Sequence, residues 1–233
     1  MIWKEAKVQF RGQGKRSNYF RQLIAPVVLA SIFPIKWGPD WVNEFPVLII
    51  AFITPAVIVS VMIPDSFAGE RERNTLNTLL VSRLPDNAII FGKIALPVLV
   101  GWGGALGLST VSLIVTNIAH GGARVLFFSP VIAMGIIFLS FLSATLMSSG
   151  GILTSISASS AQEAAQRLLM FVLVPAMIIQ IVPLLAREQI GELFDVMDGN
   201  QLLVLFCGFL IIADLVVFLL AVNKFKRSQL FQV

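Results

Sequence analysis

Glu70-Arg71-Glu72-Arg73 is the one place in this chain where four consecutive residues are all charged, and it stands between two long apolar runs. Alternating carboxylates and guanidiniums form ion pairs and charge-assisted hydrogen bonds, which is the chemistry of docking rather than of bond making. Residue types that make and break bonds are scarce. His120, beside Gly121 and Gly122, is the single histidine, and Cys207 is the single cysteine. Neither has a companion at metal-ligand spacing, and the chain carries no His-Glu-x-x-His run and no Ser/His/Asp set in a usable frame, so an intramembrane enzyme is not the expectation. Asp214 is the only carboxylate well inside an apolar run, and an acid at membrane depth is a candidate pathway residue or one half of a structural pair. A phosphate-cradling loop is missing as well: Gly12-Gln13-Gly14-Lys15-Arg16 has its glycines at the wrong spacing and no hydroxyl after the lysine. ATP-driven work would need another chain to bind the nucleotide, and no cofactor is expected in this one.

Such residues must be held by a membrane fold. Hydrophobic residues make up 57% of the chain and charged residues 13%, with a mean hydropathy of +0.87, values that fit a chain dissolved in lipid. Six apolar runs can be drawn: Tyr19–Trp37, Phe45–Pro64, Ala88–Ile118, Val125–Met147, Leu168–Ala186 and Gln201–Val222. Most reach the roughly 20 residues that cross about 30 Å of hydrocarbon as a helix, which satisfies its own backbone there. The expected fold is all-α, a single polytopic domain over 1–233 with six transmembrane helices. The first run is the weakest, since its uncharged core Gln22–Ile35 is short and relies on Arg21 and Lys36 as snorkelling ends. Val28-Leu29-Ala30 before Ser31 resembles a signal-peptide cleavage site, but the leader is long and interrupted by aromatic residues, which favours a retained span.

With both termini inside, the six-span arrangement leaves only Lys36, Arg124 and Arg187 of the 17 basic residues outside. That asymmetry predicts a multi-pass protein of the cytoplasmic membrane with cytoplasmic termini. It also accounts for the net charge of +4: anionic headgroups of the bilayer are the counter-charge, and no nucleic acid is needed.

Three amphipathic stretches lie between the runs. In residues 1–18, Ile2, Trp3, Ala6 and Phe10 fall near one face with Lys4, Glu5 and Lys7 on others, which reads as an N-terminal interfacial helix, with a disordered basic tail as the alternative. In the loop 65–87, Leu76, Leu79, Leu80 and Leu84 recur at helical spacing behind the charged quartet; Asp65 or Ser66 is placed to cap the helix and Pro85 to close it. The loop is then either a helix with one apolar side and one charged end for a protein partner, or a solvated connector. Across Arg187–Asn200, Ile190, Leu193, Phe194 and Met197 mark a short external amphipathic helix on the outer leaflet.

The run Ala68-Gly69-Glu70-Arg71-Glu72-Arg73-Asn74-Thr75-Leu76-Asn77-Thr78-Leu79-Leu80, with Gly92-Lys93 opening the next span, resembles the loop of type-2 ATP-binding-cassette (ABC) permeases. In those proteins a Gly-Glu-(Lys/Arg)-Glu-(Arg/Lys)-x-Thr-Leu-x-x-Leu-Leu pattern follows the second span. Ser155–Ala165, serine-rich and containing Gln162-Glu163-Ala164, is a second match, and the resemblance covers essentially the whole chain. It implies that 65–87 is a cytoplasmic coupling loop docking into a separate nucleotide-binding ATPase subunit, which binds ATP and Mg. Glu70, Arg71, Glu72, Arg73, Thr75 and Leu76 become the leading interface residues, with Gln162 and Glu163 in a secondary contact. A second permease copy or a paralogue completes the pathway, and the external helix serves as a lid. The chain departs from the pattern at Asn74, where glycine is frequent, and at Asn77, where an acid is common. Charge reversal at Glu70 and Glu72 is expected to abolish ATPase stimulation and leave membrane insertion intact.

Within the spans, Ser109, Thr110, Ser112 and Thr116, and Ser140, Ser143 and Thr145, read as helix-packing hydroxyls, and Gly103 with Gly107 as a pair that admits a neighbouring helix. A largely apolar interior favours a lipidic, amphipathic or drug-like substrate over a small ion, whose route would line up several carboxylates. The expected function is the permease subunit of an ABC exporter. A secondary transporter and a non-transporting membrane anchor are the alternatives, with haem export, suggested by Phe33-Pro34 and Gly38-Pro39, as a minor branch.

Overall fold

Long runs of Ile, Val, Leu and Phe have few ways to hide their amides in hydrocarbon, and every regular element among the described residues is a helix. The computed structural model describes residues 13–75, 85–122, 124–172 and 199–225. Helix α1 is Gln13–Trp37, followed by a 3-10 turn over Gly38–Val42. Then come α2 (Pro46–Met62), the short α3 (Ala68–Glu72), α4 (Asp86–His120) and α5 (Pro130–Ser157). Helix α6 covers 161–172, and α7 is Gly199–Lys224.

Three of these helices are long and apolar enough to cross a membrane: α4 from Ala88, α5 and α7. Helix α2 is apolar but has 17 residues, about 25 Å of helix. Helix α7 makes the case for a lipid solvent most directly. Only Leu210 and Ala221 are buried in its 26 residues, while Val204, Leu205, Ile212, Leu215 and Leu219 are all at least half exposed.

Two sequence boundaries move. Helix α1 begins at Gln13, so residues 13–18, expected in the interfacial segment, belong to it; nothing between Gly14 and Pro26 breaks a helix. The fourth apolar helix begins at Pro130 rather than Val125, with Ser129 Oγ accepting from the Ile132 amide, and it runs past Met147 to Ser157. That extension stays helical because its small residues are packed: a Cβ on Gly150 would sit 2.6 Å from the Phe171 ring, and one on Gly151 would run into Ile63. Residues 1–12, the leucine stretch 76–84 and most of the fifth run and of the external helix 187–200 lie outside the described residues.

Helix α5 is the centre, packed against α2, α4 and α7, and α1 lies on α4 and α2. The two large apolar clusters lie one at each end. Trp41, Val47, Leu48, Ile132, Ile136 and Leu139 fill the end carrying the 3-10 turn. Val59, Ile63, Phe67, Ile89, Ile90 and Ile152 fill the other, here called the base. The span hydroxyls serve packing. Ser109, Thr116 and Ser140 donate to carbonyls of their own helices, Ser112 accepts from the buried Trp41 indole at 3.3 Å, and Ser143 donates across to Phe52 O at 2.6 Å.

Among the described residues, Gly103 and Gly107 have nothing within 4 Å of a built Cβ, whereas Cβ atoms on Gly101 and Gly104 would lie 2.8 Å from Val59 and 2.5 Å from Ile58. Helix α2 therefore approaches α4 along the 101/104 face, one step round from the Gly-x-x-x-Gly pair. Gly101→Val is expected to destabilise by about 1–3 kcal/mol, the usual cost of overpacking, and Gly103→Val to be near neutral; thermal unfolding in detergent would check both.

Candidate functional site

The charged quartet sits on and just after α3, a helix too short to hold itself together. Its N-cap position falls after both Asp65 and Ser66. Phe67 occupies the N-cap position without a side-chain bond of its own, and the cap comes from another helix. Ser155 Oγ, fully buried on α5, accepts from the Phe67 and Ala68 amides at 3.0 Å each and donates to Pro64 O at 3.0 Å. Two of the orphan amides at the start of α3 are thus satisfied from 88 and 87 residues away. The other end closes on itself: the Thr75 amide bonds Glu70 O at 2.9 Å and the Asn74 amide bonds Arg71 O at 3.0 Å, the paired bonds of a Schellman turn. Asn74 has φ +56°, the left-handed conformation that closes this turn. Asparagine tolerates that conformation next best after glycine, so the departure at Asn74 keeps the backbone shape.

Glu70 turns inward. Lys93 of α4, with no exposed side-chain surface, places Nζ 3.2 Å from Glu70 Oε1 and 2.6 Å from Ser66 O, and 4.8 Å from the centre of the Phe67 ring. Removing a cation from water costs several kcal/mol, which is offset only by partners of this kind. Arg71 also turns inward, donating to Ala158 O and, at 3.2 Å, to Ile156 O. Arg167 donates to Ser157 O at 3.1 Å, and Lys224 Nζ lies 3.2 Å from Ser157 Oγ. Three cations from three segments thus gather at the carbonyl end of α5, where the helix dipole favours positive charge.

Glu72 accepts from the Ala161 amide at 2.9 Å and so caps α6 from outside. Small side chains let the two come close: Ala68, Ala158 and Ala164 form a buried contact of their own. Glu163 holds the same turn, accepting from Ser159 Oγ at 2.6 Å and Ser159 N at 2.7 Å and pairing with Arg167 at 2.6 Å. The Ser159 hydroxyl, then its amide, then Arg167 hold the Glu163 carboxyl below its ordinary value of 4.5. Its contribution to stability is therefore complete above pH 4.5 and is lost as pH falls through the lowered value. Amide exchange at Ser159, corrected for intrinsic rate, is expected to accelerate below that pH, and Glu163→Gln to remove the dependence.

The sequence-read site residues thus separate by direction. Glu70 and Arg71 face the protein; Glu72, Arg73, Thr75 and Gln162 are exposed; Glu163 is half-buried at the turn; Leu76 lies outside the described residues. Asp214 is elsewhere, on α7, where Thr145 Oγ1 of α5 donates to its Oδ2. Its described partner is that hydroxyl rather than a lysine or arginine. The sequence singles out Ser155 and Lys93 only within motifs and gives Arg167 and Lys224 no part in the base. The signal available was a lysine inside an apolar run, since such a cation requires a buried partner.

At the opposite end, a cavity of about 730 Å³ opens between α2, α5 and α7, lined by Phe45, Leu48, Phe52, Leu139, Leu203 and Phe206 among others.

The family model for the ABC-2 type transporter matches residues 1–181, which include the base except for its part on and just after the end of α7, Ala221, Lys224 and Phe225. Comparison with curated proteins returned no match.

Proposed function

The chain belongs to the ABC-2 type transporter family, and from that premise we propose that it is the permease subunit of an ATP-driven exporter that moves a lipidic, amphipathic or drug-like substrate. Family membership makes it a multi-pass membrane protein and the transmembrane, non-catalytic component of an ABC transporter, a class in which such domains work with ATPase subunits. The finer reading has six spans, both termini on the cytoplasmic side of the cytoplasmic membrane, an interfacial N-terminal segment and a second permease copy or paralogue completing the pathway. ATP and Mg belong to a separate nucleotide-binding subunit.

One observation carries this reading: the charged loop is built as a transmitter. Its inward side chains, Glu70 and Arg71, are tied to α4 and α5, while Arg73, Asn74 and Thr75 stay exposed for a partner. A closing ATPase dimer pressing on the exposed edge would shift the balance between inward-open and outward-open packings, to the extent that its bound state favours one of them. The apolar cavity lining supports an apolar or amphipathic cargo over an ion. In this reading Asp214 and Thr145 stabilise one packing of α5 on α7 at a candidate point on the pathway. A secondary carrier or a plain anchor gives no reason for a loop stitched to two spans.

Affinity purification of the tagged chain from its native membranes should bring down a P-loop ATPase whose activity in proteoliposomes rises when the permease is present. Arg73→Glu is expected to reduce that stimulation without lowering insertion. Recovery of the chain with no ATPase would sink the reading.

A further inference from the structure

Three observations converge on the segment Pro64–Arg71. Lys93 of α4 reaches into it and touches three of its groups, Ser66 O, Glu70 Oε1 and the Phe67 ring. Ser155 of α5 holds the same segment from the other side, through Pro64 O and the Phe67 and Ala68 amides. Arg71 then ties the far end of α3 to the last carbonyls of α5. The contacts of Lys93 and Ser155 are buried, so water cannot replace them once broken.

Resting on the permease reading above, we propose that Lys93 is a positioning residue that locks α3 to α4, so that α3, α4 and α5 move as one rigid body when an ATPase presses on the loop. Without Lys93, α3 keeps its ties to the end of α5 and the start of α6 but loses the Lys93 bonds to α4, and displacement of the loop is absorbed between Ser66 and Glu70. The ammonium suits this task. It is a compact charge with three donors on a flexible stem, and it meets a backbone carbonyl, a carboxylate and a ring face at once.

The test uses the full chain purified with its ATPase, in a Cys207→Ala background with spin labels on Ile118→Cys and Leu205→Cys. These sites are 82% and 58% exposed, at the ends of α4 and α7 remote from the base. With ATP and vanadate, the parent is expected to change its inter-label distance, and Lys93→Met to lose that change while still binding the ATPase. Lys93→Arg should restore the change in part. If Lys93→Met does not accumulate, Glu70→Gln, which keeps the volume and discharges the pair, must show the same loss. An unaltered distance change in Lys93→Met or in Glu70→Gln overturns the proposal, as does a parent that binds its ATPase and shows no change. Failure to recover any ATPase counts instead against the permease reading, so the two failures are distinguishable.

Discussion

Ser155→Ala is expected to release the charged loop from the rest of the protein. The substitution removes one oxygen, introduces no clash, and leaves the buried Phe67 and Ala68 amides without their acceptor. Each unsatisfied buried donor costs about 1–3 kcal/mol, so the pair costs about 2–6 kcal/mol out of a total stability on the order of 5–15 kcal/mol. The loss should appear as a lowered melting temperature in detergent and as trypsin cleavage after Arg71 or Arg73. Ser148→Ala is the matched control. Ser148 Oγ is buried on the same helix with no hydrogen-bond partner among the described residues, so its removal should be neutral or stabilising by about 1 kcal/mol. Equal behaviour of the two variants would mean that Ser155 does not hold the loop.

Charge reversal at the two glutamates of the quartet should have opposite consequences, although the sequence treats them alike. Glu70→Lys sets a second cation against Lys93, which has no exposed side-chain surface. Breaking a buried pair costs about 3–5 kcal/mol before the new repulsion is counted, so the variant should accumulate poorly. Glu72→Lys loses the single bond to the Ala161 amide, about 1 kcal/mol, and should insert normally while reducing ATPase stimulation. Fluorescence-detected size-exclusion profiles separate the two cases. A well-behaved Glu70→Lys protein would show that the Lys93 contact contributes little, and it would restore the simpler expectation that both changes spare insertion.

The apolar runs were legible because hydrophobic length is a property of composition, and α4, α5 and α7 lie where those runs were drawn. The ends were less legible. Helix α5 runs through Ser148-Ser149-Gly150-Gly151, residues with no intrinsic preference for a helix interior, because Phe171 and Ile63 come close to its glycines. No local signal reveals a partner met only on folding. The same reason hid the cap of α3: local reading nominated Asp65 or Ser66, and the bond came from Ser155. Orientation around a helix is also unreadable at one-residue precision: the sequence does not tell that Gly101 and Gly104 are the glycines facing α2. The charged quartet is legible in the sequence as a run of charges. Spacing could not tell that Glu70 and Arg71 point in while Arg73 points out, since a five-residue helix has too few turns to show a face.

The apolar stretch of α4 from Ala88 has 33 residues, about 50 Å along its axis. Leaning at about 40°, the upper range for membrane helices, it still spans about 38 Å of depth against roughly 30 Å of hydrocarbon. Some 8 Å must therefore stand clear of the acyl chains or thicken the bilayer around them. Lys93 lies only seven residues from the start of the helix, within the portion free to project. The end of α4 that holds the loop through Lys93 is thus the end with helix to spare, clear of the depth that the acyl chains need.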